Sequence, residues 1–115
     1  MKILVAEDDR TSQELLRRIL KQVGECTIVD DGEAAVQTVL EAYESGDPFD
    51  VLFLDIMMPK LDGQATLQQI RTEEEKRGIA GLDGLRIIML TALEDTSNIL
   101  GAFRTGAEAY LTKPI

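Results

Sequence analysis

The sequence predicts an α/β fold built on an open, doubly wound parallel sheet of five strands. Five short apolar runs alternate with four stretches of helical spacing along 115 residues, a length that makes one domain the default. Strands separated by helices cannot close as hairpins, so they pair in parallel. Their near-continuous apolar character fits burial on both faces.

The first apolar run is Lys2–Ala6. After it, Leu15, Leu16, Ile19, Leu20 and Val23 recur three and four apart and stop at Gly24, with Thr11 and Glu14 in capping-box spacing ahead of them. The second strand is read at Cys26–Val29. Its following helix carries Ala35, Val36, Val39, Leu40 and Tyr43 behind an Asp31 N-cap and ends at Gly46-Asp47-Pro48. The third strand is Val51–Leu54. The helix after it, capped by Asp62, carries Leu67 and Ile70 and dissolves into the charged run from Glu73 to Gly78. A glycine-rich loop over 78–84 leads to the strand Leu85–Leu90. A fourth helix follows, with Asp95 as cap, Ile99, Leu100 and Phe103 on one face and Gly106 as stop, before the last strand at Ala109–Leu111. No internal repeat, low-complexity tract or interdomain linker interrupts this order.

Composition narrows the function. No run of about 18 apolar residues exists, so no membrane span is predicted. The N-terminal apolar run meets acids at once, unlike a signal peptide, and a cytoplasmic location is the default expectation. The net charge is −9, and Arg17, Arg18 and Lys21 form only a small basic cluster, which argues against nucleic-acid binding. There is no histidine, which removes the usual zinc ligand and the commonest general base. The single cysteine, Cys26, has no partner for an internal disulfide and reads as a buried strand residue.

Ligands of open parallel α/β sheets bind at the carboxyl ends of the strands. Reading the residues just after each strand collects Glu7, Asp8 and Asp9, then Asp55, then Thr91, then Thr112 and Lys113. Carboxylates crowded on one rim repel unless they share a cation, and an all-oxygen set suits Mg2+. An ion there keeps Asp55 ionised and nucleophilic, and aspartate is a phosphoryl acceptor through an acyl phosphate. Lys113 supplies a charge for a phosphate oxygen and Thr91 a short hydroxyl donor. Each residue alone has a plainer reading. Asp8 or Asp9 could cap the first helix, threonine is common at strand ends, and a lone lysine is most often solvated. Met57 and Met58 read as loop packing. The weight comes from four strand ends agreeing, and from Asp55 sitting between Val51–Leu54 and Ile56-Met57-Met58-Pro59, where a lone charge is costly.

Five segments together, Glu7-Asp8-Asp9, Leu54–Pro59, Leu61-Asp62-Gly63, Thr91-Ala92 and Tyr110–Pro114, resemble the receiver domain of bacterial two-component response regulators, in order and over essentially the whole chain. The resemblance implies the flavodoxin-like strand order 2-1-3-4-5, and a response regulatory domain over 1–115 that lacks the family's usual fifth helix. It implies that Asp55 accepts the phosphoryl group from a histidine kinase or phosphotransfer protein. Mg2+ is then held by Glu7, Asp8, Asp55 and the backbone carbonyl of Met57. Thr91 becomes the switch hydroxyl, Ala92 the small residue that leaves the phosphate accessible, Tyr110 the switch aromatic and Lys113 the phosphate-contacting lysine. The Lys113–Pro114 bond is implied to be cis. The protein so read is a signalling switch with an unknown downstream partner, and not a turnover enzyme. Without a fifth helix, half of one sheet face is expected to be uncovered.

Other function classes fit less well. A Mg2+-dependent phosphohydrolase wants a second carboxylate two residues after its nucleophile, and position 57 is methionine. A flavin or nucleotide binder wants a glycine- or hydroxyl-rich first loop, and this one is acidic. An adaptor that needs no phosphate leaves the full acid, hydroxyl and lysine set unexplained. Glu7 stands where the family more often has aspartate. Met57 and Leu93 are apolar at two positions that influence loss of the phosphoryl group to water in the resemblant family. Neither side chain can orient a water, so the phosphorylated protein is expected to decay slowly. Rapid loss of the label from purified phosphoprotein, followed by intact mass with no phosphatase present, would contradict this.

Overall fold

The computed structural model describes residues 1–58, 60–79, 83–92 and 106–113. Its elements run β1 (Lys2–Ala6), α1 (Arg10–Leu20), β2 (Glu25–Val29), α2 (Gly32–Glu44), β3 (Val51–Asp55), α3 (Gly63–Lys76), β4 (Arg86–Ala92) and β5 (Ala109–Lys113). All five strands are parallel, in the order β2-β1-β3-β4-β5. The predicted fourth helix with its Asp95 cap, together with Pro59, Leu93 and the Lys113–Pro114 bond, lies outside the described residues, as do the side chains of Ala92 and Lys113.

The strands alternate their side chains between two cores, as a pleated strand must. Leu4, Ala6, Leu52, Leu54, Ile87 and Met89 meet Ala35 and Val39 of α2 and Leu67 and Ile70 of α3. Ile3, Val5, Val51, Phe53 and Leu90 meet Leu16 and Leu20 of α1. Every residue of β3 is buried, which is why Val51–Leu54 reads as an uninterrupted apolar run and Asp55 ends it as a buried charge. On the α1 side, Ile3, Leu20, Val51, Phe53, Ile88 and Ala109 line an apolar groove of about 440 Å3.

Caps define where the helices start. Asp31 accepts from the Ala34 amide at 2.8 Å and Asp62 from the Ala65 amide at 2.8 Å, as anticipated. The first helix differs. Its cap is Asp9, in extended backbone, whose carboxylate accepts from the Ser12 amide at 2.9 Å. Thr11 lies inside the helix, and Glu14 pairs with Arg17 at 3.1 Å, so no capping box forms. The third helix runs on to Lys76 because Glu74 is buried rather than solvated. Cys26 is half-buried rather than buried, because β2 is an edge strand. Burial pushes its thiol up, against a smaller lowering by the charge of Arg17. The strands also extend further than the apolar runs. Asp55, Thr91 and Lys113 are strand residues because the ladder continues through Asp55↔Leu90, Thr91↔Thr112 and Ala92↔Lys113.

One glycine controls how α3 approaches β3. A Cβ on Gly63 would lie 2.2 Å from the Asp55 carbonyl oxygen and 2.6 Å from the Ile56 Cα. The Gly63 amide instead donates to the Ile56 carbonyl at 2.8 Å. Gly63→Ala must push backbone from backbone. It is expected to destabilise the fold by about 1–3 kcal/mol, read from the urea unfolding midpoint.

Candidate functional site

Register builds the site. Ala6 lies opposite Leu54 in the β1–β3 ladder, so Glu7 and Asp55, each the next residue, emerge side by side at the carboxyl rim. The Glu7 amide donates to the Val29 carbonyl at 3.1 Å, which extends the β1–β2 pairing by one step. Glu7 is 0% exposed and Asp55 5%, while Asp8 is open to solvent. One carboxylate oxygen from each of Glu7, Asp8 and Asp55 lies within 4.8 Å of the others. Asp55 Oδ1 also accepts from the Met57 amide at 3.3 Å.

Asp8 and Asp9 divide the two roles left open by the sequence. Asp9 is occupied in capping α1, and Asp8 turns to the acidic cluster. On the next strand, Thr91 is 1% exposed and sits one residue beyond Leu90, the register partner of Asp55. The backbone of Lys113 pairs with Ala92 at the same rim. Tyr110 stands further down β5, opposite Met89, and is 44% exposed. The Met57 side chain is exposed and makes no part of the cluster.

The donor set fits a hard cation. Three carboxylates so close repel one another, and burial of two of them raises that cost. A small ion with oxygen ligands relieves both, and Mg2+ accepts a few carboxylates while keeping waters for the remaining positions.

Two supporting residues carry no signal in the sequence. Gln13 of α1 donates its amide to the Glu7 carbonyl at 2.5 Å and to Asp30 at 2.7 Å, tying the acidic loop to the end of β2. Helical spacing marks it only as a polar position. At the opposite end of the sheet, Glu74 is 3% exposed and accepts from Tyr43 Oη at 2.5 Å, Arg71 at 2.7 Å and the Leu85 amide at 2.7 Å. Burial first, then the hydrogen bond to Glu74 and its charge, hold the Tyr43 hydroxyl above the ordinary phenol range and keep it protonated.

The chain matches the response regulator receiver domain over residues 3–115, and it belongs to that family. It is 34% identical over its whole length to the osmosensing histidine protein kinase SLN1 of Saccharomyces cerevisiae, covering 9% of that protein. It is 36% identical over 99% of its length to the response regulator MprA of Mycobacterium avium, covering 45% of it. The chain thus spans less than half of these curated relatives. Among solved structures, the receiver domain of the sensor histidine kinase PA1611 of Pseudomonas aeruginosa has a magnesium ion coordinated in its active site cleft. It superposes with a TM-score of 0.77 at 29% identity, over 99% of this chain and 85% of that one. The Saccharomyces cerevisiae co-crystal structure of the phosphotransfer protein Ypd1 with the receiver domain of its downstream response regulator Ssk1 matches with a TM-score of 0.84 at 26% identity, over 100% of this chain and 79% of that one.

Asp8→Asn removes one of the three clustered carboxylates without touching the helix cap. Calorimetric titration with Mg2+ is expected to show affinity weakened by about tenfold or more, since even an outer-shell change at a metal site costs about that much.

Proposed function

We propose that this receiver domain is a Mg2+-dependent phosphoryl switch whose acceptor is Asp55. The observation that carries the reading is the convergence of Glu7, Asp8 and Asp55 within 4.8 Å, with Asp55 buried at a strand end beside the strand that holds Thr91. The magnesium ion in the PA1611 receiver supports the cofactor, and the Ypd1–Ssk1 complex supports a phosphotransfer protein or histidine kinase as upstream partner.

Glu7, Asp8, Asp55 and the Met57 carbonyl would hold Mg2+, which when bound neutralises charge on the transferring phosphoryl oxygens. Asp55 presents a carboxylate oxygen to the phosphorus of a partner's phosphohistidine or of a small acyl phosphate. A new P–O bond forms on Asp55, the bond to the donor breaks, and the electron pair leaves with the imidazole or carboxylate. These 115 residues contain no histidine, so the donor histidine lies outside them, or a small acyl phosphate takes its place. Lys113 pairs with a phosphoryl oxygen, and the Thr91 hydroxyl donates to another. Tyr110 then turns inward and alters the surface read by a downstream protein. That change shifts a pre-existing equilibrium rather than creating a new fold. The protein promotes only its own phosphorylation and dephosphorylation, in a cytoplasmic setting, and does not bind nucleic acid through this domain.

Incubated with Mg2+ and acetyl phosphate, the wild-type chain is expected to gain the mass of one phosphoryl group, and Asp55→Asn none. A gain that survives the substitution would place the acceptor on another side chain.

A further inference from the structure

Opposite the acidic rim, the starts of β4 and β5 are tied to α3 by a network centred on Arg71. Arg71 of α3 donates through Nε and Nη2 to the Gly106 carbonyl, at 3.1 and 2.7 Å. Nη2 also reaches the Glu108 carboxylate at 3.2 Å, and Nη1 reaches buried Glu74 at 2.7 Å. Glu108 in turn accepts from the Ile87 amide at 2.6 Å, and Glu74 from the Leu85 amide at 2.7 Å. One guanidinium and its two carboxylates therefore pin the starts of β4 and β5 together against α3. Gly106 is shaped for this contact. Its φ is +119°, and a Cβ there would meet Arg71 Nε at 3.1 Å.

The pinned strands are a particular pair. The carboxylates that converge on the metal position come from β1 and β3, whereas Thr91, Tyr110 and Lys113 come from β4 and β5. The Arg71 clamp contacts the second set of strands directly and reaches Asp55 only through the ladder between β3 and β4. Glu108 lies just ahead of β5 and two residues before Tyr110, and Thr91 follows Ile87 by four on β4.

The geometry points to Arg71 as a positioning residue that tunes the phosphoryl-sensing half of the site through the starts of β4 and β5, independently of the metal-binding half. This rests on the acceptor reading given above. With the clamp intact, much of the ordering that sets Thr91 and the end of β5 at the rim is already in place. With it loosened, the binding-competent arrangement is a smaller fraction of the ensemble, and apparent affinity falls by that fraction. The metal carboxylates make no contact with the clamp and are coupled to it only through the β3–β4 ladder, so they are expected to shift much less.

Arg71→Lys leaves a cation beside Glu74 but loses the planar fork onto the Gly106 carbonyl. Gly106→Ala attacks the same contact from the other side. Calorimetry on the whole chain, with Mg2+ alone and then with beryllofluoride at saturating Mg2+, separates the two halves. Both variants are expected to keep Mg2+ affinity within about twofold of wild type and to bind beryllofluoride about three- to tenfold more weakly. If Arg71→Lys fails to fold, Gly106→Ala carries the same comparison. Equal loss of both affinities, or no loss of either, would overturn the clamp while leaving the acceptor reading intact. A wild-type chain that binds Mg2+ but no beryllofluoride would overturn the acceptor reading and this inference with it.

Discussion

Everything at the rim depends on the register between β1 and β3. Parallel pairing of Ala6 with Leu54 delivers two carboxylates side by side into a place with little water, and the fold has no freedom to move them apart. Like charges so placed raise the free energy of the unliganded chain, and a cation lowers it again. The same repulsion that costs stability is what a small, hard ion with oxygen ligands would relieve. The two apolar cores on either side of the sheet supply the stability that tolerates it.

The parts of the structure that local rules dictate were legible in the sequence. Val51–Leu54 announced a strand buried on both faces, and Asp31 and Asp62 announced helix starts, because each signal is confined to a few neighbouring residues. The first helix shows where competition enters. Thr11 and Glu14 had the right spacing for a cap, but Asp9 comes earlier, adopts extended backbone and reaches the Ser12 amide first. Helix length failed for a different reason. Glu73 through Lys76 reads as a solvated run, yet Glu74 is buried by partners 31 and 11 residues away, Tyr43 and Leu85, which no local pattern reveals.

The acidic cluster was legible for a topological reason. Once the strands are known to be parallel, every strand end falls on one rim, and chemistry collects there without knowledge of side-chain geometry. Gln13 and Arg71 escaped that logic. Gln13 bridges Glu7 to Asp30, which is 17 residues from Gln13, and Arg71 reaches the Gly106 carbonyl 35 residues away, so their partners follow from packing and not from composition. Both attach to main chain rather than to the reactive side chains, which keeps them outside any motif.

The division of labour between Asp8 and Asp9 fixes the length of the loop they share. One carboxylate joins the acidic cluster while its neighbour fastens the first turn of α1. Adding or deleting a single residue between Glu7 and Ser12 would detach the helix from its fastening or swing the outward acid away from its companions. The loop thus has two anchors on adjacent residues, and a change in its length would disturb one or the other.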